Sequence, residues 1–455
     1  MGAKFALAAP PGTFAAPELR RYARPIEAVA GLIGALVAGL LLMAPLDLGG
    51  SSDVPVYQLD LMVLNVPRAA AAGAAFAVVS AALVSALGRR SAWVASFGSL
   101  AVLLADHLWN RDVATEGTLT TVNYIDSMFS GILMGALAVA VFGRPLATNC
   151  YLVGALAGIL IGDQTALPGS GGGNPLTSWA SDSTPPVWLM LLAGLALALA
   201  TAAQRAEPAG EEENTDIAIG PILAALVLVT STAVSTDWLV RHGGTPTQIG
   251  VAAAITITAA VVAALLLPGR DGILVLLTVA VANAGSAIIA VPRPEWTAPF
   301  PIIAVVLGLI LGRRAPSVWV AAAATAGLSI FAACSATTAH STAVIPVLGI
   351  TLTALIIGYC FGSAIPEQAG SAVVAMAVLI VPCLIVAMRG SSFGRVAYSP
   401  RWYRDPQGVT SAAPGWMALV ITAGCAAGML LLWRIRPARN DYRPKRALTQ
   451  ASASA

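Results

Sequence analysis

The feature that most constrains this chain is the recurrence of apolar stretches about 20 residues long between Val29 and Leu432. A helix of that length crosses the hydrocarbon core of a bilayer, and about fourteen such stretches follow one another. Of the 455 residues, 57% are hydrophobic and 10% are charged. A soluble globular chain carries about 25% charged residues. The sequence therefore predicts an all-α fold, a polytopic transmembrane helix bundle of about 14 spans.

The charged residues indicate an orientation. If the number of spans is even, both termini lie on the same side of the membrane, and most of the 25 lysines and arginines fall in segments on that side. Basic residues accumulate on the cytoplasmic side of membrane proteins. With the alanine-rich composition, this predicts a bacterial inner (plasma) membrane protein whose two termini are cytoplasmic.

A repeated pattern of turns indicates an internal duplication. Gly88-Arg89-Arg90 ends one apolar stretch and begins the next, and Gly312-Arg313-Arg314 repeats the arrangement. Phe142-Gly143 and Phe361-Gly362 form a second pair, at nearly the same separation in the chain. A duplicated helix bundle produces such a pattern. We predict that the six residues of the two Gly-Arg-Arg clusters are turns around which the halves change conformation.

The predicted organisation places two spacer helices between two related halves. Glycines at four-residue spacing recur within the stretches and favour close helix packing: Gly131/Gly135, Gly154/Gly158/Gly162, Gly308/Gly312 and Gly424/Gly428. The predicted segments are a cytoplasmic N-terminal segment (1–28), a first six-helix half (29–206), an acidic linker plus two spacer helices (207–271), a second six-helix half (272–436) and a cytoplasmic basic tail (437–455).

This layout resembles the major facilitator superfamily, in which a Gly-Arg-Arg/Lys cluster typically follows the second helix. The six-two-six order is similar to its fourteen-helix, drug:proton antiporter branch. The stretch from Leu59 to Pro67, which contains Asp60 and Asn65, resembles that branch's LD-x-x-V-x-N-V pattern, although it precedes the second span here. The Asp usually found upstream of the basic pair is replaced by Ser85-Ala86-Leu87. The resemblance implies a transporter whose halves rock against each other.

Carboxylates and a histidine at span ends are the candidates for proton coupling. Asp106 and His107 end one span, Asp126 begins the next, and Asp60 precedes the second span. An imidazole titrates near pH 6.5, and a neighbouring carboxylate would raise that value. The alternative is that these groups form an ordinary solvated loop mouth.

Uncharged polar residues are the candidates for a substrate path: Asn65, Asn283 and Ser286. Serine and threonine hydroxyls usually bond to their own helix. An amide is harder to hide in an apolar environment, so Asn283 is the strongest of the three.

Several classes of function are disfavoured. The two lysines, Lys4 and Lys445, follow no glycine-rich phosphate loop, and the five cysteines lack metal-ligand spacing. Dispersed carboxylates provide no catalytic pair. We therefore expect no enzyme activity, no catalytic residues, no cofactor, no metal and no nucleic-acid partner.

The sequence favours a secondary active transporter that exports apolar or amphipathic small molecules or lipids, coupled to protons. Its expected partners are membrane lipids and a small hydrophobic substrate. Two alternatives stay open: a flippase for a lipid-linked glycan, and a non-transporting scaffold subunit of a secretion or cell-envelope complex. Outer loop 391–415, rich in aromatic residues and arginine, suits lipid headgroups, glycans or a protein partner.

Overall fold

The computed structural model of the protein describes residues 16–43, 56–109, 116–162, 185–205, 218–242, 245–288, 299–336, 344–390 and 411–436. In these ranges the regular secondary structure is entirely helical, which confirms the all-α prediction. The fifteen helices are α1 (Ala16–Met43), α2 (Val56–Leu87), α3 (Arg89–Trp109), α4 (Glu116–Val141), α5 (Pro145–Gly162), α6 (Val187–Arg205), α7 (Ile219–His242), α8 (Pro246–Leu266), α9 (Gly272–Ser286), α10 (Pro299–Arg314), α11 (Val318–Ser335), α12 (Val344–Ser363), α13 (Ala369–Ile380), α14 (Leu384–Gly390) and α15 (Ala413–Ile435).

Helix length and composition are those of a membrane protein. Eleven stretches of the described residues are long and apolar enough to cross a bilayer. Gly272–Ser286 and Val347–Ser363 are shorter apolar helices. The first stretch begins at Tyr22, earlier in the chain than the predicted start at Val29. The chain is therefore a polytopic helix bundle, as predicted.

Two of the predicted turns depend on glycine. Gly88, between α2 and α3, has φ +86°, and Gly143, between α4 and α5, has φ +88°. Residues with a Cβ are strained at such angles, whereas glycine adopts them readily. These two positions are true turns: α3 begins directly after Gly88, and α5 begins at Pro145, two residues after Gly143.

The turn predicted at Gly312 is wrong. Gly312, Arg313 and Arg314 all lie in the last turn of α10, and the connection to α11 begins only at Ala315. A Cβ built on Gly312 would lie 2.5 Å from the carbonyl oxygen of Tyr359, on α12. Glycine is thus needed at this position for close contact between two helices, not for a left-handed backbone.

The helices pack in two sets of six with the same pairing. In the first set, α1 to α6, the pairs are α1–α5, α2–α4, α3–α4, α1–α6, α1–α4 and α3–α6. In the second set, α9 to α15 with α13 and α14 counted as one broken helix, the pairs are α9–α13, α10–α12, α11–α12, α9–α15, α9–α12 and α11–α15. These six pairs of the first set thus have counterparts in the second, whereas α2–α3 and α4–α5 in the first set and α9–α11 in the second have no comparable counterpart.

The two sets meet mainly where α2 and α4 pack on α13 and where α5 packs on α10. The remaining two helices, α7 and α8, pack on each other, and we call them the inserted hairpin. Its α7 packs on α2, α13 and α14, and its α8 packs on α9 and α15. The acidic linker predicted before this hairpin lies outside the described residues, and the exact domain boundaries stay a prediction.

Glycines allow the closest helix pairs to touch backbone to backbone. Between α2 and α4, a Cβ built on Gly131 would lie 2.1 Å from the carbonyl oxygen of Gly73. Between α10 and α12, a Cβ on Gly308 would lie 2.1 Å from the carbonyl oxygen of Leu355. Small residues permit such contacts in membranes, where burial from water does not drive helices together. The predicted packing role of the four-residue glycine spacing is confirmed.

We expect Gly131→Ala to lower the free energy of unfolding by about 1–3 kcal/mol, because the new methyl group meets backbone atoms that have no room to move. The measurement is an unfolding titration of the purified protein in mixed micelles. The matched control is Gly98→Ala in α3, where nothing lies within 4 Å of the added Cβ. That control should be neutral or stabilising by about 0.4–1 kcal/mol. Equal losses in both variants would contradict the packing assignment.

Candidate functional site

A narrow pocket lies between the inserted hairpin, α9 and the broken helix α13–α14. Its cavity volume is about 20 Å³, enough for roughly one or two water molecules. The walls are mostly aliphatic. The lining residues are Ala225, Leu228, Val229 and Thr232 from α7, Thr256 from α8, Val279 and Asn283 from α9, Val374, Ala377 and Val378 from α13, Val381 and Cys383 from the break, and Leu384 from α14.

The break beside this pocket has a local cause. Pro382 has no N–H to donate to the carbonyl group of Val378, one turn earlier, and it disfavours the helical conformation in the residue before it. Val381 accordingly takes an extended conformation, with φ −74° and ψ 133°. The helix resumes at Leu384. Interrupted helices in membrane proteins occur where the freed backbone is buried in protein or lines a cavity.

Asn283 is the polar residue that stands out in the pocket. Its side chain is 2% exposed, and its Nδ2 donates to the carbonyl oxygen of Val279 at 2.8 Å. A carbonyl oxygen can only accept, so the amide must present its nitrogen to Val279. Its Oδ1 has no hydrogen-bond partner among the described atoms. A buried acceptor without a partner is costly, which makes it a candidate contact for a ligand.

The pocket has three other polar side chains, Thr232, Thr256 and Cys383, and the last two already use their hydrogens. The hydroxyl of Thr256 donates to the carbonyl oxygen of Ala252 at 2.9 Å. The thiol of Cys383 donates to the carbonyl oxygen of Ala282 at 3.7 Å. Ser286, the other residue predicted on α9, lies one turn beyond Asn283 and is not part of the lining. The pocket therefore contains only the first of the two predicted α9 residues.

A second polar cluster, which the sequence analysis missed, surrounds Glu27 in α1. This carboxylate is fully buried, and it forms ion pairs with Arg89 at 3.1 Å and with Arg144. The side-chain amide of Gln204 also donates to it. Arg89 further donates from Nε to the carbonyl oxygen of Ala140 at 2.9 Å. The only sign of this cluster in the sequence is the position of Glu27, two residues before the apolar stretch that begins at Val29 and at the same predicted membrane side as the basic turns.

The second set replaces this ion cluster with backbone contacts. Asp271, directly before α9 and 7% exposed, accepts from the backbone N–H groups of Glu367 and Gln368 at 3.1 and 3.3 Å. These amides precede α13, and a carboxylate is stabilised at a helix N-terminus. Arg313 follows Gly312 in the second set as Arg89 follows Gly88 in the first. Its Nε is buried and has no hydrogen-bond partner among the described atoms.

The predicted proton-coupling residues are placed only in part. Asp106 and His107 lie near the end of α3, half-buried, and Asp126 lies in α4, where it is 8% exposed. Since α3 packs on α4, the three belong to one helix pair. Asp126 is thus buried, whereas a solvated loop mouth would leave it exposed to water. The role of the three residues in proton coupling stays a prediction. Asp60 and Asn65 fall within α2, but their side chains lie outside the described part of the chain.

Comparison with known proteins gives structural overlaps alone, since no family profile and no curated protein matches the chain. A crystal structure of an auto-inhibited peptide transporter of the POT family is 12% identical, covers 94% of this chain and 99% of its own, and has a TM-score of 0.46. A crystal structure of the human organic anion transporter MFSD10 is 15% identical, covers 93% of this chain and 100% of its own, and has a TM-score of 0.44. A structure of the xylose transporter XylE from E. coli is 12% identical, covers 93% of this chain and 100% of its own, and has a TM-score of 0.46. Overlaps with TM-scores below 0.5 establish neither a shared family nor a shared substrate.

We expect Glu27→Ala to lower the free energy of unfolding by about 3 kcal/mol, because it leaves two arginines without their shared carboxylate. The loss lies at the low end of the range for buried ion pairs, since the Arg89 and Arg144 side chains are 30% and 25% exposed and water reaches them in part. Unfolding in mixed micelles measures it. Glu367→Ala, at an exposed carboxylate in the turn before α13, should stay within about 0.5 kcal/mol of wild type. A loss no larger at Glu27 than at Glu367 would show that the cluster does not hold α1 in place.

Proposed function

We propose that this protein is a secondary active transporter in which the two sets of six helices move against each other. The observation that carries the proposal is the repeated helix pairing, with each set tightly packed internally and the sets meeting mainly through α2–α13, α4–α13 and α5–α10. Two related bodies joined by a limited contact are suited to alternating access. The inserted hairpin between the two sets supports the fourteen-helix layout of the drug:proton antiporter branch of the major facilitator superfamily.

The proposed substrate class is apolar or amphipathic small molecules or lipids, moved outward. Among the described residues, Asp, Glu, Lys and Arg occur at the ends of the spans and not in their middle. Sugars, inorganic ions and amino acids need polar or charged partners in the membrane interior, whereas an apolar substrate does not. The aliphatic lining of the pocket at Asn283 agrees with this class.

Proton coupling is proposed to run through Asp126, with Asp106 and His107 on the neighbouring helix. Asp126 is 8% exposed and lies in a membrane span, where ionisable side chains are rare and usually functional. The proposed location is the bacterial inner membrane with cytoplasmic termini. The Glu27 cluster supports one part of this topology, since it brings the basic turns at Arg89 and Arg144 to the same end of the bundle.

The test is substrate-induced proton movement in proteoliposomes, with a panel of lipophilic cations and envelope lipids as substrates. We expect proton flux with at least one substrate and a loss of about tenfold or more in Asp126→Asn, because an amide cannot carry the proton. Asp237→Asn is the matched control. This carboxylate lies near the end of α7, in the inserted hairpin, and its removal should leave the flux unchanged.

Two results would contradict parts of the proposal. An equal loss of proton flux in Asp126→Asn and Asp237→Asn would show that proton coupling does not depend on Asp126 in particular. Absence of proton flux and of lipid scrambling across the whole panel, with a stoichiometric protein partner co-purifying, would replace transport by the scaffold function. Lipid scrambling without proton flux would instead support the flippase.

A further inference from the structure

We propose that the pocket at Asn283 binds a neutral, apolar molecule through a single hydroxyl group. This names a substrate class for the proposed transport and thus rests in part on that function. The pocket is a separate feature of the fold, however. All of its lining residues come from the inserted hairpin, α9 and the broken helix α13–α14, so it lies beside the second set and not between the two sets.

The hydrogen-bonding state of Asn283 calls for a donor from the ligand. The free atom of Asn283 is Oδ1, because Nδ2 is engaged with Val279. The hydrogens of Thr256 and Cys383 are directed at backbone carbonyl groups, which leaves the oxygen of Thr256 as a further acceptor. A hydroxyl group can satisfy Oδ1 by donating to it. A ketone, ether or ester without a donor would leave the same oxygen unsatisfied.

The charge of the lining limits the ligand further. None of its residues is acidic or basic. A buried ammonium or carboxylate group without a partner of opposite charge is strongly disfavoured. An alcohol provides the required donor without a net charge, so the pocket suits a neutral molecule and not one of the lipophilic cations that transport assays commonly use.

The remaining walls suit an aliphatic body. Leu228, Val229, Val378 and Leu384 surround the polar edge with hydrocarbon. In this conformation the space is narrow, and two of its walls are α7 of the inserted hairpin and α14 beyond the break at Pro382. A helix interrupted by proline absorbs a change of direction more easily than a continuous one. Admission of an alkyl chain therefore requires displacement of α7 or α14.

The route to the pocket follows from the two faces of α7. Ala225 and Leu228 face the pocket and are buried, whereas Leu223 and Leu226 on the same helix are 43% and 57% exposed. Exposed leucines on a membrane helix contact lipid tails. A single helix thus separates the pocket from the bilayer, which makes a lipid-soluble alcohol a suitable ligand.

The test is photolabelling of the full chain in lipid nanodiscs with 3-azioctanol, an eight-carbon alcohol that carries a diazirine. We expect mass spectrometry to find label in the pocket segments of α7 and α13–α14, and we expect unlabelled 1-octanol to compete. Asn283→Leu, which removes the acceptor, should reduce this labelling about tenfold, the value of one hydrogen bond of ordinary strength. The matched control is Asn149→Leu in α5, because its Oδ1 is also buried without a partner but is remote from the pocket lining.

A second variant keeps the test decisive if Asn283→Leu folds poorly. Ala225→Phe fills the pocket from α7 and leaves Asn283 in place, so it should also abolish the label. The proposal is overturned if 3-azioctane, which lacks the hydroxyl, labels the pocket equally well. It is also overturned if Asn283→Leu labels like wild type, or if no label reaches these segments, as expected for a pocket that holds only water. Because binding is measured without transport, the site and the transport proposal can fail separately.

Discussion

The architecture depends on backbone contact between helices through glycine. In a membrane the lipid tails are as apolar as the side chains, so burial from water does not hold helices together and close packing must. The contacts of Gly131 with Gly73 and of Gly308 with Leu355 lie in corresponding helix pairs, α2–α4 and α10–α12. The same physical solution therefore occurs in both sets. It makes each set a stiff body, while the contacts between sets remain limited to a few helices.

The two sets agree in packing but differ in their polar chemistry. At the end of the first set, Glu27 gathers two arginines and a glutamine. At the corresponding end of the second set, Asp271 is satisfied by backbone amides. The main helix pairs recur in both sets because they rest on close contacts of small residues along whole helices. A charge pair involves few atoms and can be exchanged for backbone contacts without a change of fold.

The inserted hairpin adds something that neither set contains by itself. It packs across α2 and α13 on one side and across α9 and α15 on the other, and it completes the pocket at Asn283. The break at Pro382 lies at the same point, so an unpartnered amide oxygen, freed backbone and a helix facing lipid coincide. This combination distinguishes the chain from a plain bundle of two six-helix sets.

The sequence by itself determined the membrane class, the helical fold, the position of most spans and the glycine-packed faces. Each of these follows from local composition or from spacing along one helix, which a sequence displays directly. The turn at Gly312 was misplaced because glycine serves turns and close contacts alike, and the pattern Gly-Arg-Arg does not distinguish them. The Glu27 cluster and the pocket were decided by tertiary structure alone. Glu27 meets Arg144 and Gln204 only after α1, α5 and α6 have packed, and no local pattern encodes which helices become neighbours.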